Sequence, residues 1–344
     1  MPAPLRIALV GYGLAGSAFH APLIAATDGL ELATIVTSSP ERRERALSEH
    51  PGARLLPQAE AALGSDHDLA VLATPNRTHL PLGLAALDAG LHVLIDKPLA
   101  TSAADGRRLA LAARERGRVL SVFHNRRFDG DFLTGRRLID AGALGRVTRF
   151  ENRFERWRPE PKAGSWRERG APEEGGGLLY DLGSHLIDQA LALFGPPAGV
   201  YAEIERRRPG VEADDDVFVA LQHEGGVRSH LWASAVAPRL GPRLRVLGSG
   251  AAYVKWGLDP QEQQLRTGMR PDDRDFGREP EKHWGALGTD ARRRRIETER
   301  GAYPRFYELL RDAIREGAPP PSPAEQGIAV LDVIEAARAA AGRA

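Results

Sequence analysis

The chain contains no cysteine, so neither a disulfide framework nor thiolate chemistry is open to it. It also lacks an excess of charge of either sign. Its 47 lysines and arginines stand against 46 aspartates and glutamates, a net of +1, and so the net charge implies no polyanionic partner. No apolar run approaches the roughly 18 residues of a membrane span. The start shows no secretory signal, because the apolar stretch Leu5 to Val10 is too short for a signal core and no basic start precedes it. A cytoplasmic location is therefore expected. What is present, 42% hydrophobic and 27% charged residues over 344 positions, suits a folded chain of about two domains.

The first third alternates short runs rich in Val, Ile and Leu with helical patterns. Strands are expected at Leu5–Val10, Glu31–Val36, Leu69–Ala73, His92–Ile95 and Val119–Phe123. Helices are expected near residues 15–26, 40–50, 80–89 and 103–116, the last capped by Thr101 or Ser102 and ended by Gly117. Strands alternating with helices build βαβ units. The expected fold is thus α/β, opening with a doubly wound Rossmann sheet over residues 1–123. From residue 124 to 344 the pattern changes to alternating apolar and polar strands (146–154, 200–207, 217–222, 227–235, 243–247, 251–255), which predicts an α+β domain with an open, mostly antiparallel sheet. Residues 258–302 read as long, charged and poorly periodic, followed by helices near 303–316 and 323–341.

Gly11-Tyr12-Gly13-Leu14-Ala15-Gly16 directly follows the first strand and opens a helix. In a dinucleotide fingerprint the first glycine makes the tight turn, the second admits the pyrophosphate and the third lets helix and strand pack closely. Phosphate would then sit on unpaired N–H groups at the helix start. An NAD-selective site usually has an acid at the end of the second strand. This chain has Thr37-Ser38-Ser39-Pro40-Glu41-Arg42-Arg43 instead. Ser38 and Ser39 leave room for a 2′-phosphate that Arg42 or Arg43 can bind, so NADP is the expected cofactor, with NAD as the alternative.

The segment Gly175-Gly176-Gly177-Leu178-Leu179-Tyr180-Asp181-Leu182-Gly183-Ser184-His185-Leu186-Ile187-Asp188 carries most of the chemistry. Read as a helix after the glycines, it sets Asp181 and His185 one turn apart on one face, a carboxylate and an imidazole able to move a proton. Asp188 is expected to cap or pair structurally. Three further signals follow strand ends, where open α/β sheets bind ligands: Thr74-Pro75-Asn76-Arg77-Thr78-His79, then Asp96-Lys97-Pro98, then His124-Asn125-Arg126-Arg127. Thr74, Pro75, Asn76, His79, Asp96 and Lys97 are assigned to the cofactor side. Asn125, Arg126, Asn152, Trp166, Tyr180 and Tyr303 are candidates for substrate contact. The Lys97–Pro98 bond is expected to be cis. His50, His67, His223, His230 and His283 lack metal-ligand spacing, so no metal site is expected. Arg292 to Arg295 reads as solvated surface rather than a nucleic-acid platform.

In order and spacing, GYGLAG, TPNRTH, DKP and GGGLLYDLGSHLID resemble the motifs of the glucose–fructose oxidoreductase / inositol dehydrogenase family (Gfo/Idh/MocA), over nearly the whole chain. The resemblance implies a Rossmann domain, a second domain whose open sheet mediates oligomers, and hydride transfer at a sugar or polyol carbon. It makes Lys97 the motif lysine and Asp181 and His185 the acid–base pair. Asp96 stands where the family more often has Glu. FHAPL (19–23), FHNRRFDGDFL (123–133) and GLDPQE (257–262) resemble the branch containing NADP-dependent scyllo-inositol dehydrogenases. Histidine, with an ordinary pKa of about 6.5, can take the hydroxyl proton near neutral pH. Lys97 can stabilise the developing alkoxide, also binding substrate, and Asp181 can orient the pair or hold the neighbouring hydroxyl. The expected activity is NADP-dependent interconversion of a secondary alcohol of a cyclic polyol or sugar with its ketone, inositols first. A keto-sugar or other carbonyl reductase, or a non-catalytic dinucleotide-binding regulator, are the alternatives. A homodimer or homotetramer with a small-molecule substrate is expected, without nucleic-acid or membrane partners.

Overall fold

The computed structural model describes residues 2–64, 66–161 and 174–342. Strands β1 (Leu5–Val10), β2 (Leu30–Val36), β3 (Arg54–Leu56), β4 (Leu69–Leu72), β5 (His92–Asp96) and β6 (Leu120–Phe123) form one parallel sheet in the order β3-β2-β1-β4-β5-β6. Ile7–Val10, Leu69–Leu72 and Leu120–Phe123 are buried throughout, as a sheet covered on both faces requires. The strand order reverses between β1 and β4, so the loops leaving these neighbours open the crevice at the sheet's carboxyl end. Ser102 caps the helix Ala103–Glu115 by accepting from Asp105 N at 3.1 Å, and Gly117, at φ 62°, follows its end. The three-residue β3 was not foreseen, being too short to show a pattern.

The second sheet has eight strands. These are β7 (Val147–Glu155), β8 (Pro197–Glu205), β9 (Asp216–His223), β10 (Arg228–Ser234), β11 (Leu244–Gly248), β12 (Ala252–Lys255), β13 (Gly285–Gly288) and β14 (Arg293–Ile296), in the order β14-β13-β12-β11-β7-β10-β9-β8. All its pairs are antiparallel except β7 with β10. Side chains alternate across it. One row runs Val219, Leu231, Asn152, Leu244, Lys255 and is buried. The next row, on the other face, runs Tyr201, Ala220, His230, Glu151, Arg245, Val254, Ala286, Arg295, with Tyr201 and Arg295 exposed. Strands β13 and β14 correct the reading of 258–302 as unpatterned. Arg293, Arg294 and Arg295 are exposed residues of an edge strand, not of a loop, and charge there discourages further pairing.

By packing, the chain divides into two compact units, Met1–Asn125 with Gln261–Phe276 and Ala302–Ile328, and Arg126–Pro260 with Gly277–Gly301 and Ala329–Ala344. A boundary at 123/124 in chain order had assigned the helix Tyr303–Glu316 to the second domain. Its apolar face explains its place in the first unit: Tyr303 meets Phe19, while Phe306 and Tyr307 pack on Phe123 and His20. Among the described residues no helix is long and apolar enough to cross a membrane.

Candidate active site

In the first unit the fingerprint loop is shaped by contacts that only glycine permits. Gly11 has φ 101°, and a Cβ there would lie 2.4 Å from Ala73 O; a Cβ on Gly16 would lie 2.0 Å from Gly11 O. At Gly13 the nearest atom to such a Cβ is Arg42 Nη1, at 3.9 Å. The loop surface above Gly13 is therefore open, with a guanidinium beside it. Leu14 is exposed and Ala15 leads into a π-helical turn, Gly16–His20. Tyr12 contributes to the loop only through its backbone. Its side chain is buried, donates to Glu49 Oε2 at 2.5 Å and packs edge-on against His50, and burial pushes the phenol's pKa up. Past β2, the Ser39 hydroxyl accepts from Arg42 N at 3.3 Å and caps the helix Pro40–Glu49, leaving Ser38, Arg42 and Arg43 exposed.

The loop after β4 is held by Thr78, whose hydroxyl donates toward Thr74 Oγ1 and Pro75 O, both at 2.7 Å. Asn76 is buried in the turn that follows. Asp96 ends β5 and its Oδ1 accepts from Lys97 N at 3.0 Å. The Lys97–Pro98 bond is cis. Beneath this turn His20 is fully buried, with Nδ1 2.6 Å from the Tyr307 hydroxyl and Nε2 3.9 Å from Asp96 Oδ1. Burial takes the imidazole's pKa down to about 4. Sequence reading did not single out His20, although FHAPL was in view; its partner Tyr307 is 287 positions away. His124 and Asn125, which follow β6, are buried. Tyr303 is fully buried, its N–H donating to Gln261 Oε1 at 2.7 Å and its ring against Phe19.

In the second unit the glycine-led segment is anchored by a residue that sequence reading did not single out, Asp214. Gly177 has φ 90°, and a Cβ there would lie 2.2 Å from Asp214 Oδ1. Asp214 Oδ2 accepts from Leu179 N at 2.7 Å and its carbonyl accepts from Leu178 N at 2.9 Å. Gly177 is thus required by this carboxylate. Residues Leu179–Gly183 form a π-helical turn before the helix Ser184–Phe194, so Asp181 and His185 do not share one regular α-helix as predicted. Single π turns of this kind gather at functional sites. Asp181 is half-buried and His185 buried. Tyr180 is buried with the Arg338 guanidinium 5.2 Å from its ring centre, and Arg338 also pairs with Asp214 at 3.2 Å.

A buried polar network braces this helix. Asp188 accepts from Arg127 Nε at 2.9 Å and Nη2 at 2.5 Å. Gln189 donates to Arg126 O at 2.7 Å and accepts from Asn152 Nδ2 at 2.7 Å, and Arg243 donates to Asn152 Oδ1. Asn152, fully buried in this network, braces the helix. Arg126 lies over the Phe154 ring at 5.0 Å and 3.5 Å from Asp129. Burial pushes the Asp129 carboxyl well above its usual range. Trp166 lies outside the described residues.

Two family models match the chain in succession, an oxidoreductase-family NAD-binding Rossmann fold over residues 5–124 and a GFO/IDH/MocA C-terminal domain over residues 132–254. The oxidoreductase YdgJ of Escherichia coli is 41% identical over 342 residues, covering 96% of this chain and 94% of that protein. The scyllo-inositol 2-dehydrogenase (NADP(+)) IolW of Bacillus subtilis is 37% identical over 338 residues, covering 97% and 92%. The solved structure of YvaA from Bacillus subtilis superposes with a TM-score of 0.92 at 35% identity, covering 99% of this chain and 96% of that one.

Proposed function

The chain belongs to the Gfo/Idh/MocA family of oxidoreductases with an NAD-binding Rossmann fold, and we propose that it uses NADP to interconvert a secondary alcohol of a cyclic polyol with its ketone. The observation that carries this reading is the chemistry retained at two motifs: Lys97 beside Asp96 at the carboxyl end of β5, and Asp181 with His185 on the glycine-led helix. A sensor that merely bound dinucleotide would need no such proton relay. The name of IolW supports an inositol as substrate and NADP as cofactor. Arg42 beside Gly13, with serines in place of an acid after β2, supports NADP independently.

The residues fit the cofactor. Gly11 and Gly16 make the turn, the open surface at Gly13 suits a pyrophosphate, and Arg42 beside it would hold a 2′-phosphate. Bound NADP supplies the hydride acceptor. Lys97 Nζ donates to the alcohol oxygen and stabilises the charge that grows there. His185 takes the hydroxyl proton, and Asp181 orients it or binds the adjacent hydroxyl. In reverse the same groups reduce a ketone. The test is to follow nicotinamide absorbance with NADP⁺ and NAD⁺ against inositols, aldoses, their keto forms and 2-hydroxy acids. Turnover with inositols and NADP⁺ is expected; a 2-hydroxy acid as the best substrate, with polyols inert, would overturn the proposal.

The open face of the eight-stranded sheet supports a homodimer, with a tetramer as the larger assembly. It carries a run of contacting rings, Tyr201, Phe218, His230 and Trp232, with Arg153 stacked 3.9 Å from the Trp232 ring centre. Symmetric dimers are the commonest use of such a surface. Light scattering should give at least twice the 37.3 kDa of one chain; a single-chain mass would refute it.

A further inference from the structure

His79 opens the helix His79–Asp88 and is fully buried. Its Nδ1 lies 2.9 Å from Pro98 O and its Nε2 lies 3.0 Å from Thr74 O. A backbone carbonyl can only accept, and a neutral imidazole has a single N–H. Either neutral tautomer would therefore aim one nitrogen lone pair at an oxygen lone pair, away from any water that could relieve the mismatch. The remaining polar surroundings have the same sign. Burial is the largest influence and takes the imidazole's pKa down, while the carboxylate of Asp96 and the carbonyls of Pro98, Thr74 and Leu99 favour the charged ring; with an acceptor at each ring nitrogen, the geometry decides for the charged form. Asp96 is the charged group that faces His79. On its other side stands His20, kept neutral by burial, with the Tyr307 hydroxyl held protonated for the same reason. Neither brings a competing positive charge.

We propose that His79 is a buried imidazolium, donating from both ring nitrogens, that staples the Thr74 turn of the dinucleotide cradle to the Lys97–Pro98 turn, with Asp96 as its counter-charge. The staple fixes the Pro98 carbonyl on one side of Lys97 while Asp96 holds the Lys97 N–H on the other. His79 is then a positioning residue for Lys97, a role that rests on the reading of Lys97 as the group touching the substrate oxygen. Motif reading had placed His79 simply among the cofactor-binding residues; the geometry gives it a bridging task between two strand-end loops.

The protonation state can be read without substrate. Nitrogen NMR of the full chain with labelled histidine should show both ring nitrogens of His79 protonated at neutral pH. A ring nitrogen without a proton there would overturn the proposal. A second measurement compares the melting temperatures of the wild type and His79→Gln across pH, since glutamine offers donors from one nitrogen alone. A ring whose folded pKa is raised stabilises fully below the unfolded value of about 6.5 and loses that stabilisation as pH rises through the folded value. The gap between the two proteins should therefore close toward alkaline pH; a gap that closes toward acid pH would mean a neutral ring. In turnover, His79→Gln should lose up to about 10²-fold in kcat through misplacement of Lys97. If the variant does not fold, the wild-type NMR decides alone. An intact imidazolium in a protein that turns over no alcohol or ketone would sink the Lys97 reading and leave the staple standing.

Discussion

In the first unit the groups that face a ligand are set by main-chain geometry. Gly11 and Gly16 lie against backbone oxygens, and the main chain at Lys97–Pro98 is held by His79 at Pro98 O and by Asp96 at Lys97 N. In the second unit the equivalent task falls to buried charge. Asp214 anchors the start of the glycine-led segment, and Arg127, Arg243 and Asp188 brace the helix that carries His185. The contrast has a physical root. A parallel sheet offers a row of strand ends at one edge, so loops there need only the right backbone shape. A single helix lying on an antiparallel sheet has no such edge and must be held in rotation and register by side chains.

The contrast is broken most sharply by the groups proposed to react, which should behave alike although they are held differently. Lys97→Ala and His185→Ala should each lower turnover by about 10²–10⁴-fold while dinucleotide binding survives. Near-normal turnover in a folded His185→Ala would remove it from proton transfer.

The second expected effect tests the buried charges. Asp188 is 1% exposed, and removing its carboxylate takes from the half-buried Arg127 the partner of its two hydrogen bonds. Asp188→Ala should cost about 3–5 kcal/mol of folding stability, the usual range for breaking a buried ion pair. Denaturant titration checks it; a loss below about 1 kcal/mol, the level of a surface pair, would mean that the network is decorative.

The same contrast explains what could be read from sequence. The first sheet was legible because fully apolar strands and a glycine turn are local patterns, and the strand ends then locate Thr74, Asp96 and Lys97. The second sheet was legible where apolar and polar residues alternate, and illegible at β13 and β14, where Gly-Ala-Leu-Gly and Arg-Arg-Arg-Ile alternate too weakly. Asp181 and His185 stood out as a local pair, but the π turn between them leaves no mark in residue type. The bracing network was out of reach: Arg127 and Asp188 are 61 positions apart, and Asn152 and Arg243 are 91 apart. The partners of Asn152 could not be read either, because an amide on a strand looks the same whether it faces substrate or a buried guanidinium.

A third effect belongs to the first unit and is read by pH. The buried imidazole of His20 has its pKa lowered by burial from 6.5 to about 4. A depressed histidine pKa means the unfolded chain binds the extra proton first, so the stabilisation is lost as pH falls from about 6.5 toward 4. The difference of about 2.5 units corresponds to at most about 3 kcal/mol. The stability of His20→Phe should therefore fall less steeply than that of the wild type across this window. Parallel curves would show that His20 is not neutral in the folded protein.

The smallest expected effect concerns the one place where the first unit relies on an exposed side chain. Arg42 stands beside the open surface of Gly13, with Ser38 exposed and no acid closing the second strand. If its guanidinium meets a 2′-phosphate, Arg42→Ala should weaken NADP binding by about 1–3 kcal/mol, the cost of a lost charged hydrogen-bond partner. NAD, which lacks that phosphate, should bind the variant and the wild type alike. The neighbouring Arg43 is exposed on the same helix and can share the load, so Arg43→Ala and the double variant should be titrated alongside. A double variant that still prefers NADP would move the source of selectivity away from this helix. Wild-type protein that binds NAD as tightly as NADP would end the assignment.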